Sequence, residues 1–334
     1  MIKLAVFGAG RIGQVHARNL SANPLVDLAY VVDPDATLAA QLAEVVGAQV
    51  VGEHTVFQDP QLKGVVIASS TSAHPALLRK CADAGKPVFC EKPISMDLVE
   101  AALCVEYLSA KKARCMMGFH RRYDPGFAQA HDEIRRGDAG EIFEIVISSR
   151  SWAPPPDEYI KTSGGLFLDQ SIHDFDMIRY LFGEEIHSVY AVGGCLFEPR
   201  IGRAGDIDSA MITMVTRSGK LAQINNARLA AHGYDQRAEV FGTLATLFVD
   251  NVRSGSMLRG TREGCLSASP ESTFVERYRA AYEHEMQDFV RMVDKGIEPR
   301  ANHFDGLQAQ TLAEAALKSY RSGEAVVLET ATLS

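Results

Sequence analysis

The stretch Leu4-Ala-Val-Phe7-Gly8-Ala-Gly10-Arg-Ile-Gly13 constrains this chain more than any other part of it. An apolar run long enough for a short strand leads into three glycines at fixed offsets, and a helix follows. Gly8 permits a tight turn, Gly10 lets the backbone come close to a ligand, and Gly13 lets the helix pack closely on the strand. Free amides and the dipole at the helix start favour negative charge, so the turn suits the pyrophosphate of a dinucleotide. A second apolar run, Leu28-Ala-Tyr-Val-Val32, ends in Asp33, twenty residues after Gly13. An acid at that place accepts hydrogen bonds from the adenosine ribose hydroxyls and repels a 2′-phosphate, which points to NAD rather than NADP. Pro34 and Asp35 add no cation for such a phosphate, although Arg11, within the turn, could reach toward the adenosine side. The plainer alternative makes Asp33 the N-cap of a helix beginning near Ala36.

Composition narrows the class. The 334 residues are long for one core and comfortable for two domains. The content is 46% hydrophobic and 23% charged, as in ordinary globular proteins. A net charge of −8, with basic residues only in short pairs such as Lys111-Lys112 and Arg121-Arg122, argues against a nucleic-acid partner. Met1 leads straight into the first strand and no apolar run is long enough to span a bilayer, so a cytoplasmic protein without a membrane partner is expected. The six cysteines are scattered singly and read as buried small hydrophobes.

Helical and strand patterns alternate up to about residue 118. Helices are expected over 36–46, 74–84 and 98–110, and strands over 65–68, 87–90 and 115–117. The strands are short and continuously apolar, as in a parallel sheet covered on both faces. The chain is therefore α/β: a doubly wound Rossmann domain over 1–120, then an α+β domain over 121–334 with a large, mainly antiparallel open sheet. In the second domain, helices are expected near 125–136, 172–181, 277–293 and 303–320, and strands near 142–147, 189–192, 210–215, 221–225, 238–241 and 246–249, with a hairpin turn at Arg217-Ser-Gly219.

Two further motifs lie where chemistry is expected. Cys90-Glu91-Lys92-Pro93 follows a strand at the carboxyl edge of the sheet, where ligands of this fold bind. A lysine there can stabilise an alkoxide beside the nicotinamide; alternatively Lys92 is a solvated loop residue. Pro93 fixes the turn, with a cis bond as one option. The second motif is Gly164-Gly-Leu-Phe-Leu-Asp169-Gln-Ser-Ile-His173-Asp174-Phe-Asp176. Asp169 and His173 are four apart and share a helix face, which suits a general base with a carboxylate that orients it. Asp176 is a second candidate partner for the ring. The alternative is that Asp169 caps the helix and His173 is an interior histidine. No metal is expected, because Asp-x-x-x-His supplies two ligands only and His284-Glu-Met-Gln-Asp288 lacks the second histidine of HExxH.

Taken together, GAGRIG, Glu91-Lys92-Pro93 and Gly164-Gly…Asp169-x-x-x-His173-Asp-x-Asp176, in that order and separation, resemble the glucose-fructose oxidoreductase, inositol dehydrogenase and rhizopine catabolism (Gfo/Idh/MocA) family, the inositol dehydrogenases most of all. The similarity runs over the whole chain, including Gly118-Phe-His120-Arg-Arg-Tyr-Asp124 and Gly233-Tyr-Asp-Gln-Arg237. It implies NAD-dependent oxidation of a secondary hydroxyl of a cyclic polyol, inositol first, by a homotetramer that associates through the open sheet. By position it implies Lys92, Asp169 and His173 as catalytic residues. Gly8, Gly10, Arg11, Ile12, Gly13, Asp33, Glu91 and Lys92 would contact NAD. Lys92, Trp152, Asp169, His173, Asp176 and Tyr234 would contact the polyol, with Tyr282 a weaker candidate. Where many inositol dehydrogenases carry Arg-Asp-Pro, this chain has Arg150-Ser151-Trp152, and the sole tryptophan either packs or offers an apolar face to a sugar ring. Alternatives within the fold are a dehydrogenase of another inositol or of an aldose, and an NAD-dependent glycosidase. A non-catalytic NAD sensor would not need the Lys92, Asp169 and His173 set.

Overall fold

A computed structural model describes residues 1–329, and its chain divides into two units. The first comprises Met1–Asp124 together with Ala280–Gln310, the second Pro125–Arg279 and Thr311 onward.

The first unit is built on six parallel strands: β1 (Ile2–Phe7), β2 (Val26–Val32), β3 (Gln49–Val50), β4 (Gly64–Ile67), β5 (Val88–Cys90) and β6 (Cys115–Met117). Their order is β3-β2-β1-β4-β5-β6, the doubly wound arrangement with its switch between β1 and β4. Every residue of β4, β5 and β6 is buried, which accounts for their unbroken apolar sequence. Helices Arg11–Ser21, Ala36–Val46, His74–Asp83 and Leu98–Ala110 fall where sequence periodicity places them.

The sequence boundary at 120 left everything beyond it to a second domain, whereas the structure returns the helix Arg279–Lys295 to the first unit from Ala280 onward. Its Met286, Phe289, Val290 and Met292 join Leu4, Val6, Phe89 and Met116 in one core. A Cβ on Gly64 would lie 3.0 Å from Val293 and 3.3 Å from Phe289, so a glycine at the start of β4 lets this helix approach the sheet.

The second unit carries β7 (Ile142–Arg150), β8 (Ile186–Gly194), β9 (Ser209–Thr216), β10 (Leu221–Ala227), β11 (Asp235–Gly242), β12 (Thr246–Val249), the hairpin β13 (Leu258–Thr261) and β14 (Gly264–Ser267), and β15 (Val326–Val327). Seven of them form a sheet in the order β12-β11-β7-β10-β9-β8-β15, in which β7 and β10 run parallel and the other neighbours antiparallel. One face is core: Ile145, Ile147, Ala191, Ile212, Met214 and Ile224 lie in one cluster with Phe127, Phe175, Ile178 and Leu312 from helices Pro125–Arg136, Ile172–Phe182 and His303–Ser322. The alternation of burial along β8, β9 and β10 leaves Tyr190, Val192, Met211 and Leu221 exposed on the other face.

Four cysteines, Cys81, Cys90, Cys104 and Cys115, are buried small hydrophobes, and burial pushes the Cys104 thiol up to about 11. Cys195 and Cys265 correct that expectation: both are exposed. Cys265 lies in the β13–β14 hairpin, every residue of which faces solvent.

Candidate functional site

The glycine turn of the first unit has the geometry the sequence suggested. Gly8 takes φ +104°, and a Cβ there would lie 2.3 Å from the Ala68 carbonyl oxygen. A Cβ on Gly13 would meet the Gly8 carbonyl oxygen at 1.9 Å. Gly10, the N-cap of helix Arg11–Ser21, has nothing within 4 Å of where its Cβ would be, so space is left for a ligand in front of the helix amides. The Asp33 carboxylate accepts from the Ala9 amide at 2.6 Å and the Asp35 amide at 2.8 Å. It is not a cap. That role belongs to Asp35, which accepts from the Thr37 and Leu38 amides. Asp33 therefore braces the glycine turn from the end of β2, with lone pairs left for ribose hydroxyls. These residues fit a dinucleotide.

Lys92 is half-buried just after β5, and its peptide bond to Pro93 is cis. Its amide donates to the Glu91 carboxylate at 3.2 Å. His74 braces this turn, a role that sequence reading missed. Its Nδ1 lies 2.8 Å from the Pro93 carbonyl oxygen and its Nε2 3.1 Å from that of Ser69, so the ring ties the lysine turn to the segment after β4. Burial lowers the pKa of His74 below its ordinary value, against the two carbonyl contacts, which raise it. Glu91 itself pairs with the buried His16, Nε2 to Oε1 at 2.8 Å. Tyr282 lies in the interior of the same unit, stacked on His120 and edge-on to His16.

In the second unit, Asp169 lies in a π-helical turn, Phe167–Ser171, that runs into the helix Ile172–Phe182 carrying His173. It is not the N-cap, which is Ser171. Extra residues of this kind within a helix commonly mark functional positions, because they re-aim a side chain. Asp169 Oδ1 accepts from the Tyr159 hydroxyl at 2.7 Å, and Oδ2 from Arg228 Nη1 at 2.7 Å. Neither partner was visible in the sequence pattern. Arg228 is 59 residues away in the chain and is buried. A buried guanidinium on one oxygen and a phenol on the other fix this carboxylate in direction.

His173 is half-buried, whereas Asp176 is 1% exposed, inside the same helix. Asp174 accepts from Asn226 at 2.8 Å in a buried set with Ser149 and Ser171. Gln170 donates to the carbonyls of Ser149 and Ala227, fixing the π turn to the ends of β7 and β10. Trp152, 53% exposed, is not a core packing residue. Tyr234 is half-buried after Gly233, whose φ of +127° and close approach to Pro270 exclude a side chain. The next residue, Asp235, anchors this segment to β7 and the β12 side through Arg150, Arg237 and Asn251.

Residues 2–119 match the family model of the Gfo/Idh/MocA oxidoreductases described as the NAD-binding Rossmann fold. Residues 131–328 match that of the same family's C-terminal alpha/beta domain. The chain belongs to the Gfo/Idh/MocA oxidoreductase family. Family membership makes the first unit's glycine turn part of an NAD-binding Rossmann domain. Similarity to individual members is close over the full length. The myo-inositol 2-dehydrogenase of Thermotoga maritima is 38% identical over 98% of this chain and 99% of its own. The inositol 2-dehydrogenase of Rhizobium meliloti is 40% identical over 95% of this chain and 96% of its own. A crystal structure of scyllo-inositol dehydrogenase from Lactobacillus casei, with bound NAD(H) and scyllo-inositol, is 28% identical with a TM-score of 0.90, covering 98% of this chain and 99% of that one.

Proposed function

We propose that the protein oxidises a secondary ring hydroxyl of an inositol to the ketone, using NAD. The observation that carries this is the bonding of Asp169: a carboxylate held on both oxygens, in a π turn four residues before a half-buried histidine, in a chain similar end to end to inositol 2-dehydrogenases. When bound, NAD supplies the hydride acceptor. Gly8, Gly10, Gly13 and the amides of Arg11 and Ile12 would hold its phosphates and Asp33 its ribose, and Glu91 and Lys92 would border the nicotinamide. His173 takes the hydroxyl proton as general base, and Asp176, one turn on, backs its ring. Lys92 places a positive charge beside the oxygen as it becomes an alkoxide. Asp169 accepts a hydrogen bond from a neighbouring ring hydroxyl and so fixes which carbon reacts. Trp152 and Tyr234 offer ring faces to the polyol.

The exposed apolar face of the seven-stranded sheet supports assembly into a homotetramer. No helix among the described residues is long and apolar enough to cross a membrane, and the cytoplasm is the compartment we assign.

The test is NADH formation by the purified protein on myo-, scyllo- and D-chiro-inositol, glucose and xylose, repeated with NADP. An inositol signal with NAD is expected. Silence on the inositols while NAD binding is demonstrated overturns the proposal, and a signal confined to an aldose replaces the substrate.

A further inference from the structure

Within the first unit, three ligand-type side chains outside the proposed catalytic set converge from separate elements. His16 comes from helix Arg11–Ser21, Glu91 from the end of β5, and Glu285 from helix Arg279–Lys295. One donor atom from each lies within 4.8 Å of the others, and the His16–Glu91 pair is already at 2.8 Å. Glu285 is fully buried, and neither of its carboxyl oxygens has a hydrogen-bond partner among the described residues. The Glu91 carboxyl meets His16 through one oxygen and the Lys92 backbone amide through the other. Space for Glu91 comes from Gly118, where a Cβ would lie 2.9 Å from the Glu91 Oε2.

An unpaired carboxyl such as that of Glu285 is costly in a protein interior, and with the Glu91 carboxyl beside it one imidazole faces two acids in a centre short of positive charge. We infer that His16, Glu91 and Glu285 form a binding site for a divalent transition-metal cation, tying the phosphate-turn helix, the Lys92 turn and the returning C-terminal helix together. One imidazole nitrogen and two carboxylates are a donor set for zinc-class ions. Donors about 2 Å from a common ion lie at most about 4 Å apart, so small rotations of the two glutamates close the remaining distance. The 13% exposure of the Glu91 side chain gives an entry path at the carboxyl edge of the sheet. The ion's role is structural, with Glu91 alone shared between this cluster and the proposed cofactor site. Motif spacing could not reveal it, because the three residues are separated by 75 and 194 positions in the chain.

The experiment compares wild type with Glu285→Gln, which keeps the side-chain volume, after dialysis against Co²⁺ or Zn²⁺. Expected for wild type are about one more bound ion per chain by elemental analysis than for the variant, visible d–d absorption of the Co²⁺ form, and an unfolding midpoint that rises by several degrees with Zn²⁺. His16→Gln should abolish the same three signals, and serves alone if Glu285→Gln does not fold. Equal metal content in wild type and the folded variants, or none in wild type, overturns the site and leaves Glu285 as a neutral buried acid.

Discussion

At the scale of single residues, Asp169 carries more of the proposed chemistry than its sequence position shows. Its two oxygens accept from Tyr159 and from the buried Arg228, so removing the arginine takes the charged partner away from one of them. Arg228→Met should lower kcat/KM by at least about tenfold and cost about 3 kcal/mol of stability. Steady-state kinetics and a urea titration check both, and unchanged kinetics would separate Arg228 from the reaction. Lys92→Ala should reduce turnover by about a hundredfold or more while NAD affinity, read by fluorescence titration, stays nearly constant. Asp235 gives a pH prediction. Burial alone would raise its carboxyl, but hydrogen bonds from Arg237 and Asn251, the Arg237 charge and Arg150 hold it at about 2. Its folded value lies below the unfolded one of about 3.9. Its contribution to stability is therefore fully present above the unfolded value and is lost as pH falls through 2. Asp235→Asn should be less stable at neutral pH and show a flatter decline between about pH 4 and pH 2 in acid unfolding.

At the scale of elements, the glycine turn shows where local sequence is sufficient. Gly8 and Gly13 are each required by a backbone carbonyl that a Cβ would strike. Gly13→Ala should accordingly abolish NAD binding in calorimetry, with a lowered unfolding midpoint, whereas Gly10→Ala should fold normally and lose affinity only. Apolar runs such as Val65–Ile67 and the amphipathic pattern of Pro125–Arg136 fix their elements through burial, so they were readable in advance. The β13–β14 hairpin was not, because all its residues are exposed and no alternation marks a face. The π turn holding Asp169 has no compositional signature, since phenylalanine, leucine, aspartate, glutamine and serine suit many conformations. His74, Arg228 and Glu285 were missed for a different reason: their partners are distant in the chain, and pairings of that kind are settled by tertiary packing rather than by spacing. A helix is expected near 277–293, but periodicity says only that a helix has a buried face, not which core receives it.

At the scale of the whole molecule, the uncovered face of the second unit's sheet sets the association behaviour. Tyr190, Val192, Met211 and Leu221 are exposed on strands β8, β9 and β10, which lie side by side in the sheet. A patch of this kind on a lone subunit would be an aggregation liability, and the proposed homotetramer would cover it. Met211→Glu combined with Val192→Glu should shift the protein from the proposed tetramer toward smaller species in light scattering while leaving each subunit folded. A wild type that is monomeric at micromolar concentration would remove the assembly proposal.

The chain passes from the first unit to the second after Asp124, back after Arg279, and out again after Gln310. Phe289 and Val290 are core residues of the first unit, yet a ribosome makes them more than 160 residues after the sixth strand of their own sheet. A nascent chain that has just released residue 124 holds a sheet with part of its packing still unsynthesised, so the NAD-binding unit completes its fold near the end of translation rather than at the beginning. For the same reason, a gene cut at the apparent boundary near residue 120 does not encode an autonomous nucleotide-binding module, and transplanting that module into another enzyme requires carrying Ala280–Gln310 along with it.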